Sequence, residues 1–155
     1  MPVSPIPPGF EGATPSLAFQ GAADAIAWYQ RAFGAEEVMR LASPDGSIAH
    51  AEIKIGKAMI MLADEMPPYN KSPKTLGGTT VVLALYLEDV DTFYNRAVAA
   101  GATSVFPVSD QFYGDRSGRI EDPFGYVWAL STRKEELSPA QMQQRFEAWM
   151  KDLRS

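Results

Sequence analysis

Two clusters of side chains in this chain are of types that do chemistry at short range. The first is His50 with Glu52, in the stretch SIAHAEIKI. A strand has a period of two, so a histidine and a carboxylate two apart stand on one face. There the imidazole can act as a base and the carboxylate can orient it, or the two can anchor a bound molecule. The same spacing also suits a partly exposed structural histidine beside a solvated glutamate. Strict alternation would put Ile48, His50, Glu52 and Lys54 on one face, and Ala49, Ala51, Ile53 and Ile55 on the face that packs under helices. The second cluster is Tyr113, Asp115, Arg116 and Arg119, next to Phe112. A guanidinium flanked by aromatic rings suits a carboxylate or phosphonate on an organic molecule. Arg116 is expected to pair with Asp115 or with a neighbouring strand and so fix the loop. Arg119, further along, is then the ligand-binding candidate.

Composition limits the chemistry further. The 155 residues include no Cys and one His. A thiol nucleophile, a disulfide framework, cysteine-ligated zinc and an iron–sulfur cluster held by this chain alone are therefore excluded, and any metal site would be built mostly from carboxylates. With 14 basic against 19 acidic residues and a net charge of -5, the chain has no dense basic stripe for phosphate neutralisation, so no nucleic-acid partner is expected. The run VVLALYL is too short to cross a bilayer, and MPVSPIPPGF has neither the basic nor the apolar region of a secretory signal. A cytoplasmic protein with no membrane partner is expected. The chain also lacks a G-x-S-x-G elbow, a Walker loop, a G-x-G-x-x-G fingerprint and a zinc-protease histidine pair.

The elements that must position these residues follow a repeated order. Four prolines make the first ten residues an extended arm. TPSLAF reads as a strand; Ala22, Ile26, Tyr29 and Phe33 recur at helical spacing up to the stop at Gly34; EEVMRLA, SIAHAEIKI and AMIMLA follow as strands. Residues 65–78, EMPPYNKSPKTLGG, read as a linker. The series then begins again with TVVLALYL, a helix capped by Asp89 and closed by Gly101, the strand TSVFPVSD interrupted at Pro107, a strand over 116–122, a type I turn at Asp122-Pro123-Phe124-Gly125, and YVWALST. Tyr29-x-Arg31-Ala32 recurs as Tyr94-x-Arg96-Ala97, and the glycine before AMIML recurs before YVWAL, so both halves read β-α-β-β-β. Trp28 and Trp128 are assigned to helix–sheet packing. Ser138-Pro139-Ala140-Gln141 begins a C-terminal amphipathic helix whose stripe of Met142, Phe146, Trp149, Met150 and Leu153 needs a surface on this chain or on a second subunit.

In AIAWYQRAFGA, AEIKIG, MIMLADE, LYLEDVD, AVAAGA and above all FYGDRSGRIEDPFGYVWAL, the sequence resembles the vicinal oxygen chelate superfamily. This is the glyoxalase, bleomycin-resistance and extradiol-dioxygenase group, and the likeness is to its glyoxalase-like, phosphonate-operon-associated members. The resemblance covers about residues 10–137. It implies an α+β fold in which two βαβββ modules, at about 12–64 and 79–133, form one open mixed-sheet barrel domain over 1–137 with a ligand cup, followed by the helix at 138–155. It also implies a homodimer. Alignment on the helix and glycine anchors puts the superfamily's four metal-ligand positions at Thr14, Met61, Val82 and Ala129, none a metal ligand of any strength. The resemblance with those positions vacated implies a metal-independent protein that binds a small organic molecule, without a cofactor. His50 and Glu52 are its catalytic candidates, and Met59, Met61, Val82, Ala84, Tyr86, Tyr113, Arg119 and Ala129 are its ligand-binding candidates. Two other readings stay open: a divalent-metal lyase, isomerase or dioxygenase with a displaced site around His50 and Glu52, and a dimeric scaffold without a small ligand.

Overall fold

A computed structural model describes residues 2–155; Met1, the first residue of the expected arm, lies outside the described residues. The chain divides into two compact units, Met1–Thr79 and Thr80–Ser155.

The first unit runs β1 (Ser16–Phe19), α1 (Ala22–Phe33), β2 (Glu36–Ala42), β3 (Ile48–Ile55), β4 (Ala58–Asp64) and α2 (Pro73–Leu76). Its strands form a mixed sheet in the order β1-β4-β3-β2, with β1 parallel to β4 and the other pairs antiparallel. Helix α1 turns Ala22, Ala25, Ile26, Tyr29, Ala32 and Phe33 inward, the i, i+3, i+4 pattern of a buried stripe, and Gly34 ends it in the left-handed conformation. These side chains bury one sheet face, where Ile53, Ile60 and Leu62 are 0 to 3% exposed. The start of α1 is capped from another strand. Asp64 Oδ1 accepts from the Gly21 and Ala22 N–H groups at 3.1 and 2.7 Å, while Oδ2 accepts from Ile48 N–H at 2.6 Å.

The second unit runs β5 (Val82–Tyr86), α3 (Val90–Ala99), β6 (Thr103–Asp110), β7 (Asp115–Glu121), β8 (Val127–Arg133) and α4 (Pro139–Arg154). Its sheet order, β5-β8-β7-β6 with β5 parallel to β8, repeats that of the first unit. The fold is therefore α+β, two βαβββ modules with a C-terminal helix. Helix α3 buries Val90, Tyr94 and Ala97 against the face bearing Ile120, Trp128 and Leu130. Both expected packing tryptophans are buried, Trp28 at 3% and Trp128 at 1% exposure. Asp122 organises the turn before β8: Oδ1 accepts from Phe124 and Tyr126 N–H at 2.9 and 3.0 Å, and Oδ2 accepts from Trp128 Nε1 at 2.9 Å. Asp89 caps α3 through Thr92 N–H, and Ser138 with Gln141 forms the full capping box of α4.

The local geometry departs from the sequence pattern at two places. Ile48 is buried and Ala49 exposed, so Ile48 does not share the face of His50. The pairing steps from Leu41↔His50 to Ala42↔Ile48, two residues against one, and that bulge reverses the facing of everything before it. Residues 65–78 are not a bare linker. Glu65 accepts from Ser72 N–H at 2.7 Å and from the Thr75 hydroxyl at 2.7 and 2.8 Å, Ser72 caps α2, and Gly77 ends it with a left-handed backbone. Hydrogen bonds to its carboxylate, led by the Ser72 amide and followed by the Thr75 hydroxyl, hold the Glu65 pKa down at about 2. Pro107 does interrupt β6, whose pairing with β7 shifts between Phe106 and Ser109.

Candidate functional site

One face of the second unit's sheet is taken by α3. The other face carries two rows of side chains set by the strand register. Ala84, Ala129, Arg119 and Phe106 are successive partners across β5, β8, β7 and β6, and Tyr86, Ser131, Ser117 and Ser109 form the next row. These rows floor a pocket of about 580 Å³, within the range of small-molecule sites, whose wall includes Gln111, Tyr113, Asp115 and, from α4, Trp149. A larger depression of about 720 Å³ at the strand ends, bounded by Tyr86, Leu87, Glu88, Thr132 and Arg133, is more open and gathers no aromatic ring other than Tyr86.

Polar groups in the pocket differ in how far they are already satisfied. Asp115 is 6% exposed and accepts from Tyr86 Oη at 2.6 Å. That bond to a carboxylate holds the phenol in its protonated form and raises the Tyr86 pKa. Ser131 and Ser117 hydroxyls bond each other at 3.0 Å. Arg119 makes no ion pair among the described residues; its guanidinium carbon sits 5.6 Å from the centre of the Phe106 ring. Arg116 is engaged elsewhere, through Nε and Nη2 to Asp91 at 2.7 and 2.8 Å and through Nη1 to Asp110 at 3.2 Å, which raises its pKa. The pairing with a neighbouring strand is thus present in Asp110, and a pairing with Asp115 is not, because Asp115 points to Tyr86.

Five of the sequence-derived ligand residues, Ala84, Tyr86, Tyr113, Arg119 and Ala129, come together in this pocket. Val82 is on the same strand, opposite Val127, beyond the lining. The remaining candidates belong to the first unit. There Ser16, Met61, Glu52 and Met39 form a row across β1, β4, β3 and β2, the same register position that Ala84, Ala129, Arg119 and Phe106 occupy in the second unit. Glu52 and Arg119 are thus equivalent positions of the repeat with opposite charge. His50 Nε2 and Glu52 Oε1 are 3.2 Å apart, so the two side chains do meet. Met59 is half-buried, and the proline-rich arm crosses it: a Cβ on Gly9 would lie 3.1 Å from Met59 Cγ.

Sequence periodicity did not point to Phe106, Gln111, Ser109, Ser117, Ser131 or Trp149. Ser117 and Ser131 alternate correctly with the buried residues of β7 and β8 and could have been found by extending the strand-face argument on either side of Arg119. Trp149 gave only a helical stripe, with no indication of what it would meet.

The sequence model of the Glyoxalase/Bleomycin resistance protein/Dioxygenase superfamily matches residues 16–130. The chain belongs to this superfamily. It is similar to the uncharacterized protein Mb0911c of Mycobacterium bovis, 40% identical over 134 residues that cover 84% of this chain and 88% of the other. It is also similar to YjdN of Escherichia coli, 28% identical with 79% and 96% covered. The crystal structure of TioX from Micromonospora sp. ML1 superposes with a TM-score of 0.64 at 30% identity, over 79% of this chain and all but 1% of TioX, 99% being covered.

The donor set does not fit the divalent metal that the superfamily resemblance implies. Thr14 precedes β1, Met61 lies in the row with Glu52, and Val82 and Ala129 are aliphatic residues on the adjacent strands β5 and β8, two register positions apart. A hydroxyl, a thioether and two alkyl groups do not hold such an ion. Among the described residues no group of three or more His, Asp or Glu side chains comes together, and His50 with Glu52 supplies only two donors.

Proposed function

We propose that this superfamily member binds a small organic anion without a metal, in the pocket of the second unit. The observation that carries this is Arg119: a half-buried guanidinium at the centre of the floor, with no carboxylate partner among the described residues and a ring beneath it. A half-buried guanidinium of this kind pairs well with a carboxylate, sulfonate or phosphonate that accepts two of its N–H groups. Ala84 and Ala129 leave room above the sheet, Tyr86 and Tyr113 supply apolar rim surface, and the Ser117–Ser131 pair offers hydroxyls. Sequestration of an antibiotic-like molecule is one form of this activity, in keeping with the bleomycin-resistance part of the superfamily's name. His50 and Glu52 are, in this proposal, a base with its orienter or a polar anchor on the first unit's sheet, and Met59, Met61 and Val82 add apolar lining. The proposal includes one superfamily domain over 1–137 and a homodimer, both on the sequence resemblance, and a cytoplasmic location, on the shortness of the apolar runs; no helix of the described residues is long and apolar enough to cross a membrane.

The test is thermal shift and calorimetry with a panel of aromatic and aliphatic acids, on metal-free protein. At a hundredfold excess over Kd a bound acid adds about 2.7 kcal/mol of stability. Arg119→Gln should weaken that acid by about tenfold or more, as expected for a lost charged hydrogen bond. If no acid stabilises the protein, or if one molar equivalent of tightly held divalent ion lost in His50→Ala is needed for binding, the proposal fails.

A further inference from the structure

Helix α4 lies beyond residues 16–130, the part matched by the superfamily, yet it contributes Trp149 to the pocket wall. The helix is well formed by its own sequence and weakly attached to its unit. Its capping box and the proline in its first turn define the start locally. No residue of its 16 is buried, and Phe146 and Trp149 remain 40% and 41% exposed. Its attachment consists of a small aromatic cluster and one arginine. Phe112 stacks on Trp149 at 5.1 Å with an interplanar angle of 30° and lies 5.8 Å from Phe146. Arg145 reaches Glu135 at 2.5 and 3.2 Å and the Phe112 carbonyl at 3.4 Å. Just before the helix, Lys134 and Glu135 N–H groups both bond the Gly114 carbonyl, and half-buried Leu137 reaches back to Gly114, where a Cβ would lie 3.3 Å from its Cδ1, so the segment joining these anchors to the helix is short.

We infer that α4 is a hinged aromatic wall of the binding site, and that the ligand is a flat aromatic acid whose carboxylate meets Arg119 while its ring stacks against Trp149. This rests on the binding proposal above and adds the ligand class and the moving part. The half-exposed Trp149 ring, with Phe112 stacked on it, forms an aromatic surface that a planar ring extends, and a saturated ring of the same charge does not stack on it. A helix that keeps its shape while holding few tertiary contacts gains contacts when such a ring is bound, so ligand and helix docking are coupled.

The experiment compares naphthalene-2-carboxylate with cyclohexanecarboxylate by calorimetry on the full chain, its Trp149→Ala and Arg145→Ala variants, and Arg119→Gln, with hydrogen exchange read over α4. Trp149 is exposed, so its truncation leaves the core intact. Expected are a roughly tenfold loss of naphthalene-2-carboxylate affinity in Trp149→Ala, a smaller loss in Arg145→Ala, little change for cyclohexanecarboxylate in either, and slower exchange in α4 only when the aromatic acid is bound to the unsubstituted chain. If both acids bind, Arg119→Gln weakens both, and Trp149→Ala changes neither, the role of α4 is refuted while the binding proposal stands. If affinity falls in Trp149→Ala but exchange in α4 is indifferent to ligand, the hinge is refuted. If neither acid binds the unsubstituted chain, the binding proposal and this inference fail together.

Discussion

Gly118 sits on β7 next to Arg119 in sequence, and its missing side chain lies on the opposite face of the sheet, where Tyr94 of α3 packs. A Cβ placed there would lie 2.8 Å from Val108 Cγ2 and 3.1 and 3.2 Å from two carbons of the Tyr94 ring. Neither neighbour yields easily. Tyr94 is 8% exposed and its hydroxyl is bonded to Ser104 Oγ, while the branched Val108 has few rotamers open to it. Overpacking of this kind costs about 1–3 kcal/mol, and removing a strand glycine returns about 0.5–1 kcal/mol of chain entropy. Gly118→Ala should therefore destabilise by about 1–2 kcal/mol, which for a chain of this size lowers Tm by about 2–8 °C. Gly12→Ala is the control, since a Cβ there meets nothing within 4 Å. The measurement is Tm by calorimetry or circular dichroism. A Gly118→Ala protein as stable as the unsubstituted chain would refute the close approach of α3, and a large change in acid binding without a change in Tm would refute the assignment of Gly118 and Arg119 to opposite faces.

Two further outcomes follow from named contacts. Asp122→Ala leaves the Trp128 indole N–H and two turn amides without their acceptor at a site 3% exposed, so it should cost about 3 kcal/mol or more, read as a lower urea midpoint; a loss under 1 kcal/mol would show that water replaces the carboxylate. The Glu65 carboxyl has a folded pKa of about 2 against an ordinary 4.5, so its stabilising effect is complete above about pH 4.5 and disappears as the pH falls towards 2. The Tm gap between the unsubstituted chain and Glu65→Gln should accordingly be widest near neutrality and close in acid, and a gap constant from pH 7 to 2 would contradict the hydrogen bonds from Ser72 and Thr75.

Much of the fold was legible in residue patterns because its determinants are local. The stripe of α1 with its terminal glycine, the Asp89 cap, the Ser138 capping box and the Asp122 turn are each written within a few residues, and each forms where expected. The paired order of the two halves was visible in Tyr-x-Arg-Ala and in the glycine turns. Where the pattern failed, the reason was an interaction from outside the segment. The start of α1 carries no capping side chain of its own, and Asp64, over forty residues away, supplies it. Ile48 turned inward because a bulge opposite Leu41 and Ala42 reset the facing, a register event that alternation within one strand does not encode.

The candidate site shows the same division more sharply. One His, no Cys, the adjacency of His50 with Glu52 and the presence of two arginines near an aromatic pair were properties of the chain alone, since a period of two and a residue count need no tertiary information. Which arginine is free was decided by the fold. Arg116 has carboxylates within reach on α3 and β6, Asp115 has a phenol on β5, and Arg119 is left facing the pocket over Phe106. The arrival of Trp149 at that pocket was likewise a tertiary outcome. A helix whose stripe is half-exposed can lie on many surfaces, and its place here is set by the Gly114 anchor and the Phe112 ring, long-range contacts that no spacing within the helix specifies.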